Sequence, residues 1–364
     1  MPKTLHSTKH FQLVRQLRPL IAKMKPGDAI PTQQILKKDF NVSQNTIELA
    51  LTRLRREGLI ERPAGKQRLV KSEICDPADH YIAIVRPDWP SSVIEGISQS
   101  IVDAGHAQNW RFDIVNFRSH TGVDLDRLIG DNDAAVLMLT TEPVPEHLRD
   151  ALTFTRKPLV LAQDLIDGLE LNTVRTDDGM SMQLAVEHLA SLGHRRIGIL
   201  LPTTVTAPMQ DALAGYKRGM AEIGVHDCDD MVVACQSKPF TRSIDIAYPF
   251  FKEWYSQNPN KITAVVCANM DMGLVANRVI HEAGLSIPEQ FSVVSSDNIA
   301  RMGEYLYPPA TTIEMEMSLY GKAVIELLQT QFDNEQAPAQ SRLIPCHLMQ
   351  RKTSAAVPSI TTSC

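Results

Sequence analysis

The sequence predicts an α/β chain in two parts: a small N-terminal winged helix-turn-helix, then a larger two-lobed domain built on parallel sheets. Three features point to it. Residues 31–56, PTQQILKKDFNVSQNTIELALTRLRR, read as two short helices around a tight turn. From residue 81 onward, short continuous apolar runs alternate with amphipathic helical patterns, and the series starts again near residue 179. Continuous apolar strands between helices imply parallel sheets covered on both faces. The charge is also split: residues 1–75 hold 15 Lys and Arg against 6 Asp and Glu, and the remainder holds 22 against 36. A basic small domain on an acidic large one fits a polyanion partner at the N-terminus only. A solvated basic surface would give the same count.

The 364 residues suffice for two or three domains and a sizeable core. With 43% hydrophobic and 22% charged residues, the composition is that of a soluble globular protein. No apolar run reaches membrane-spanning length. The first residues, MPKTLHSTKHFQLVRQL, lack the apolar core and small-residue cleavage site of a secretory signal. A cytoplasmic protein with no membrane partner is expected. Six cysteines (Cys75, Cys228, Cys235, Cys267, Cys346, Cys364) form no C-x-x-C pair and have no histidine at zinc spacing. Reduced thiols are expected, with no metal and no cofactor.

Taken in order, residues 10–24 form a helical pattern, with Phe11, Val14, Leu17, Ile21 and Met24 at spacings of three and four. Lys25-Pro26-Gly27-Asp28 is a turn. The first helix of the helix-turn-helix spans about residues 32–40, and Asn41-Val42 is the turn. Ser43 caps the second helix, because its hydroxyl can accept an orphan backbone N–H. Ile47, Ala50, Leu51 and Leu54 fall on one face and supply a small core, and Gly58 stops the helix in the left-handed conformation. Gln44, Asn45, Glu48, Thr52, Arg53 and Arg56 remain for the other faces, an array of amides and cations suited to a DNA groove. Strands at residues 59–62 and 67–70 flank Ala64-Gly65 and form a wing, with Lys66 and Arg68 in reach of a phosphate or the minor groove. The DNA-binding candidates are Thr32, Gln33, Gln34, Ser43, Gln44, Asn45, Thr46, Glu48, Arg53 and Lys66. The domain spans residues 1–71, and a polar linker follows at 72–80.

The run KPGDAIPTQQILKKDFNVSQNTIELALTRLRREGLIERPAGK is similar to the winged-helix domain of the GntR family of bacterial regulators. The matching pieces are PGD-x-IP, the turn F-N-V-S, the A-L-x-x-L core, E-G-L-I and the wing-tip glycine, within about residues 10–71. The resemblance implies binding to a double-stranded DNA operator. The family carries arginines on the helix before the turn, at the start of the recognition helix and one turn further in. Here Gln34, Gln44 and Glu48 stand at those places. Arginine suits guanine and phosphate, glutamine pairs better with adenine, and glutamate repels phosphate unless it accepts from a cytosine amine. An operator unlike the usual GntR type is therefore expected.

In the α/β part, strands are expected at residues 81–85, 110–115, 134–139 and 158–162, with helices at 93–104, 125–129 and 146–155. The second series has helices at 179–192, 211–223, 243–256, 272–283 and 317–332 and strands near 197–201, 231–234, 264–267 and 291–295. Two such units imply two lobes, with a ligand cleft at the carboxyl ends of the strands. VRTDDGMSMQLAVEHLASLGHRRIGIL, residues 174–200, resembles the effector-binding domain of the lactose-repressor (LacI) family, whose fold is periplasmic-binding-protein-like. LAGYKRGMAEIG, VVCAN, HEAGLSIPEQFSVVSSDN and YLYPPATTI extend the resemblance over about residues 80–350. The domain is placed at 81–350 and a tail at 351–364, of which AAVPSITTSC, residues 355–364, is expected to be disordered.

Carried over by position, the resemblance implies effector contacts from Asp88 and Trp89 after the first strand, Gln163, Asp211, Asn269, Asp271 and Asp297. Ala212 stands where the family's sugar binders often have arginine, and Met270 replaces the Asp of Asn-Asp. Carboxylates and amides suit sugar hydroxyls, and Trp89 can stack on a sugar face. A carbohydrate is the candidate effector; a different small molecule, or a pocket that no longer binds, are the alternatives. His188 and His194 lack metal-ligand company, and the adjacent acids Asp177-Asp178 and Asp229-Asp230 read as a turn and a solvated loop. Together the resemblances imply a transcriptional regulator, a repressor acting as a homodimer. A solute-binding protein would share the lobes but not the basic winged helix. No G-x-x-x-x-G-K-S/T, G-x-S-x-G, H-E-x-x-H or G-x-G-x-x-G occurs, so an enzyme is not expected.

Overall fold

Both helix starts of the helix-turn-helix are capped by side chains. Thr32 accepts from the Ile35 backbone N–H at 3.5 Å, and Ser43 accepts from that of Thr46 at 3.2 Å. The computed structural model describes residues 9–63, 68–72, 78–89, 91–299 and 301–357. It divides into two units, Met1–Asp79 and His80–Cys364. The first contains α1 (Lys9–Ala22), α2 (Gln33–Phe40), α3 (Gln44–Arg56), β1 (Ile60–Glu61) and β2 (Val70–Lys71). Asn41 makes the turn between α2 and α3 in the left-handed region, at φ 47°. Ile47, Ala50 and Leu54 are fully buried against Leu13, Leu17, Ile21 and Leu36, which closes a three-helix core. Antiparallel β1 and β2 pair Ile60 with Lys71 and Glu61 with Val70. Residues 64–67, the expected wing tip with Lys66, lie outside the described residues.

In the second unit, β3 (Tyr81–Pro87), α4 (Ser92–His106), β4 (Arg111–Phe117), α5 (Leu125–Ile129), β5 (Ala134–Met138), α6 (Glu146–Phe154), β6 (Leu159–Ala162) and β7 (Asn172–Thr176) build the first lobe. The chain then crosses to α7 (Asp178–Ser191), β8 (Ile197–Leu201), α8 (Ala207–Glu222), β9 (Val232–Ala234), α9 (Ser243–Gln257), β10 (Ala264–Cys267), α10 (Met270–Glu282), β11 (Ser292–Ser296), α11 (Met302–Tyr305) and β12 (Thr311–Met315). It returns with α12 (Met317–Asp333) and β13 (Ser341–Ile344), and crosses a third time to β14 (Cys346–Met349). The sheet orders are β13-β7-β6-β5-β3-β4 and β14-β12-β11-β10-β8-β9. All pairings in both sheets are parallel except β14 on β12.

Several expectations are corrected. The helix expected at 317–332 in the second series instead packs on the first lobe as α12, with Tyr320, Val324 and Leu328 against Ile97 and Ile101 of α4. Apolar periodicity fixes a helix's buried face but not which sheet it covers. Strands β7, β12, β13 and β14 went unread because Thr, Ser and Asn interrupt their apolar pattern or, in β13 and β14, half of each strand is exposed. His80 is not linker: it stacks on Phe332 at 3.8 Å. Nor does a tail begin at 351. Thr353 donates to the Val293 carbonyl at 2.7 Å and accepts from the Thr311 backbone N–H at 2.8 Å. Ser354 meets His188 at 2.8 Å, and the Val357 backbone N–H donates to the Leu192 carbonyl at 2.9 Å. Residues 351–357 are thus part of the second lobe, held by polar groups that find partners on burial. The described cysteines, Cys228, Cys235, Cys267 and Cys346, are free thiols; Cys75 and Cys364 lie outside the described residues.

Helices α7 and α8 touch backbone to backbone. A Cβ on Gly215 would lie 1.9 Å from the Gly179 carbonyl oxygen. Overpacking a close contact costs about 1–3 kcal/mol, so Gly215→Ala should lower the stability of the second unit by at least that. Urea unfolding of the full chain reads it, and an unchanged midpoint would show that the helices can part freely.

Candidate functional site

Residues at the carboxyl ends of strands from both lobes line one cleft of about 210 Å³. The first lobe contributes Trp89, the Leu139–Thr141 stretch after β5, and Gln163 and Asp164 after β6; the second contributes Thr203, Ser237, Asn269, Asp271 and Asp297, with Asp178 at the start of α7. Trp89 lies 6.0 Å from Phe240 of the second lobe, ring centre to ring centre. Gln163 has φ 64°, and its side-chain carbonyl accepts from the Thr176 backbone N–H at 2.8 Å, which sets the amide's direction. Asn269 caps α10 by accepting from the Met272 backbone N–H at 3.0 Å, and Asp271 accepts from Ser243 at 2.9 Å. Asp297 sits at φ 58°.

Two expected contacts fall elsewhere. Asp88 is half-exposed and paired with Arg118 at 3.2 Å, outside the cleft lining. The chain bends at Asp88, where the Trp89 backbone N–H donates back to the Pro87 carbonyl at 2.9 Å, and Trp89 is the member that reaches the cleft. Asp211, on α8, is also outside the lining and pairs with Arg175 of β7 at 2.6 Å. That bond ties the two lobes together. Conversely, Asp164 and Asp178 line the cleft without any sequence signal that marks them for it. Asp177 is the turn acid, accepting from the Met180 backbone N–H at 2.9 Å, whereas Asp178 is buried. Nothing in an Asp-Asp pair says which member turns inward.

The lining holds three buried oxygens with no hydrogen-bond partner: Thr141 Oγ1, Asp178 Oδ2 and Ser237 Oγ. Together they mark where a polar ligand would gain hydrogen bonds that the protein itself does not supply. Burial lifts the Asp164 carboxyl to about 6 and the Asp297 carboxyl to about 7. Burial also raises Asp178 well above the carboxylate range; the negative charges of Asp297, Asp211 and Asp177 reinforce this and Arg175 opposes it. Burial lowers His188 and His194. His194 is held by Thr263, Ser292 and the Ala355 carbonyl within 3.1 Å, which makes it a structural group.

In the first unit, the exposed side of α3 begins with a chain of polar contacts. Gln44 donates to Gln33 at 3.1 Å and to Glu48 at 3.3 Å. Gln34 and Asn45 are exposed, Thr46 half-buried. Ser43 and Thr32 are engaged as caps. Leu49, 46% exposed beside Asn45, was overlooked; it suits a thymine methyl. Arg53 is a correction. It is buried, with its Nε 2.5 Å from Glu57, and Arg18 clamps the same carboxylate at 2.8 and 3.1 Å. Position 53 lies between core residues Ala50 and Leu54 and so turns toward α1, not the groove.

Residues 11–70 match the gntR family of bacterial regulatory proteins, and residues 186–354 match the periplasmic binding protein-like domain. Its two domains are those of a transcriptional regulator. The chain is 24% identical to the HTH-type transcriptional repressor CytR of Escherichia coli K12, over 96% of this chain and 99% of that protein. It is 22% identical to the arabinose metabolism transcriptional repressor of Geobacillus stearothermophilus, over 84% and 85%. In structure it resembles the transcriptional regulator CelR in complex with cellobiose, at TM-score 0.66 and 21% identity over 86% of this chain and 92% of that one. A LacI family regulator from Enterococcus faecium with bound ribose matches at TM-score 0.63 and 22% identity, over 76% and 99%. These likenesses establish the fold. Among the described residues, no helix of this regulator is long and apolar enough to cross a membrane.

Arg53→Ala should cost the regulator's first unit about 2 kcal/mol, short of the ~3–5 kcal/mol for fully breaking a buried pair, because Arg18 remains on Glu57. Asn45→Ala should leave stability within about 0.5 kcal/mol. Urea titrations check both; an R53A chain that unfolds like wild type but binds DNA poorly would restore Arg53 to the groove. The cleft acids set a pH trend. Their carboxyls hold protons in the folded chain at pH values where unfolded aspartates, near 3.8, have lost them. The second unit should therefore lose stability as pH rises from about 4 to about 7, by at most ~1.4 kcal/mol per pH unit for one carboxyl. Asp297→Asn should flatten that slope and stabilise at pH 8, as read by urea titrations across the range.

Proposed function

We propose that the protein is a LacI-type transcriptional repressor in which a GntR-like winged helix reads a double-stranded operator. It acts in the cytoplasm as a homodimer, so that two recognition helices meet a palindrome. Its cleft binds a small-molecule effector and catalyses nothing. The observation that carries this reading is the cleft itself: two lobes joined by three chain passages, with unpartnered buried oxygens from each lobe facing a ligand-sized space. A ligand that satisfies both sides favours closure, and closure changes the dimer's geometry and hence the operator fit. A carbohydrate suits the hydroxyls, carboxyls and Trp89. The arabinose repressor and the cellobiose and ribose complexes among the similar proteins support the same class.

One observation favours a second reading. The Arg175–Asp211 pair already bridges the lobes, which would suit a regulator that holds one state without effector.

Selection of bound sequences from a random DNA pool by purified protein tests the proposal. A palindrome should be enriched. Gln44→Arg should shift one position in each half-site from adenine toward guanine, worth about 1–3 kcal/mol per bidentate contact. Sugars should then release the selected DNA. If no sequence is enriched with or without a sugar mixture, the repressor reading falls; an unchanged site for Q44R removes Gln44 from base readout.

A further inference from the structure

Four carboxyls, Asp164, Asp178, Asp271 and Asp297, line the cleft, and no described lining residue is Lys, Arg or His. The nearby cations lie outside the lining: Arg175 is bonded to Asp211, and the Arg218 guanidinium lies beside Gly179. Asp178 is 7% exposed and Ser237 8%, and each has an unpartnered oxygen in the cleft wall. From these observations we propose that the cleft selects an effector that carries a protonated amine on a hydroxyl-bearing frame, of the amino-sugar class, over its neutral and anionic analogues. The inference rests on the effector-controlled reading above and names the ligand class for that same site.

The chemistry is complementary at each point. An ammonium supplies donors and positive charge to carboxylates that otherwise have no countercharge in the cleft. Ligand hydroxyls fit Thr141 Oγ1 and Ser237 Oγ, the remaining unpartnered groups of the wall. Trp89 lines the cleft and can offer its ring face to the frame or to the cation. A phosphate or carboxylate on the ligand would meet four acids and no base. Asp178 is faced by Asp177, Asp211, Asp297, Arg175, Tyr320 and Cys346, and four of these six are acids or a thiol. Burial favours protons on Asp164, Asp178 and Asp297 in the free protein. The entering ammonium takes the place of one such proton: one positive charge enters and one proton leaves for solvent.

The test is titration calorimetry of the full chain with glucosamine, galactosamine and mannosamine, each beside its neutral hexose and its hexose 6-phosphate, at pH 5.5 and 7.0 in two buffers of different ionisation heat. At least one amino sugar should bind roughly tenfold more tightly than its hexose, as expected for a charge-assisted contact, and the 6-phosphates should not bind. Amino-sugar binding should weaken at pH 5.5, where protons compete, and its heat should depend on the buffer. Asp164→Asn and Asp271→Asn should bring the amino sugar down to the level of the hexose, with urea unfolding of the second unit showing that the variants are folded. A hexose or hexose phosphate that binds as tightly as its amine overturns the proposal, as does a panel in which no amino sugar binds. If a neutral hexose binds and releases the operator, the amine preference falls while the effector-controlled repressor stands.

Discussion

The cleft depends on the contact between α7 and α8. At Gly179 and Gly215 the two helices meet with no side chain between them, close enough that one Cβ would collide with a carbonyl oxygen. This approach sets the start of α7, and with it Asp178, against the start of α8, where Pro208 and Met209 join the lining. It also places Asp211 one turn into α8, in reach of Arg175 on the other lobe. A cavity wall, a buried acid and the bond between the lobes therefore share one geometric origin. Interiors at native packing density have little slack, so a shift at this contact would be felt at all three.

The parts of the chain legible from sequence were those decided locally. A helix start needs an oxygen on the next N–H, and Thr32 and Ser43 supply it within three residues. A small core needs apolar groups at helical spacing, and Ile47, Ala50, Leu51 and Leu54 have it. Strand ends locate a cleft, which is why Trp89, Gln163, Asn269, Asp271 and Asp297 share one lining. The misreadings involve orientations that only tertiary structure decides. Arg53 has the composition of a groove contact, but a long stem can lie along a core while its head finds Glu57. Asp88 and Trp89, and Asp177 and Asp178, are neighbours whose inward member is chosen by backbone direction. Thr353 and Ser354 look like a solvated end until their hydroxyls are seen bonded at the starts of β11 and β12, interior strands of the second sheet.

The passages between the lobes also explain why the second half of the domain was harder to assign than the first. The first lobe is laid down almost continuously from β3 to β7, so each helix follows the strand it covers. After β12 the chain returns to the first lobe for α12 and β13 and then leaves it again. An edge strand delivered late by a returning chain has a weak apolar pattern, since only one neighbour and part of one face bury it.

The Arg18–Glu57–Arg53 cluster changes how the charge of the first unit should be counted. Its excess of basic residues suggests a strongly cationic surface, yet two of its arginines are spent on one buried glutamate inside the three-helix core. Groups committed there displace no counterions from a nucleic acid. Each phosphate contact contributes about 0.9 to the steepness with which affinity falls with salt. If the chain binds an operator as proposed, its affinity should be less sensitive to ionic strength than its lysines and arginines, simply added, would suggest, with a larger share of selectivity left to the uncharged amides at the start of α3.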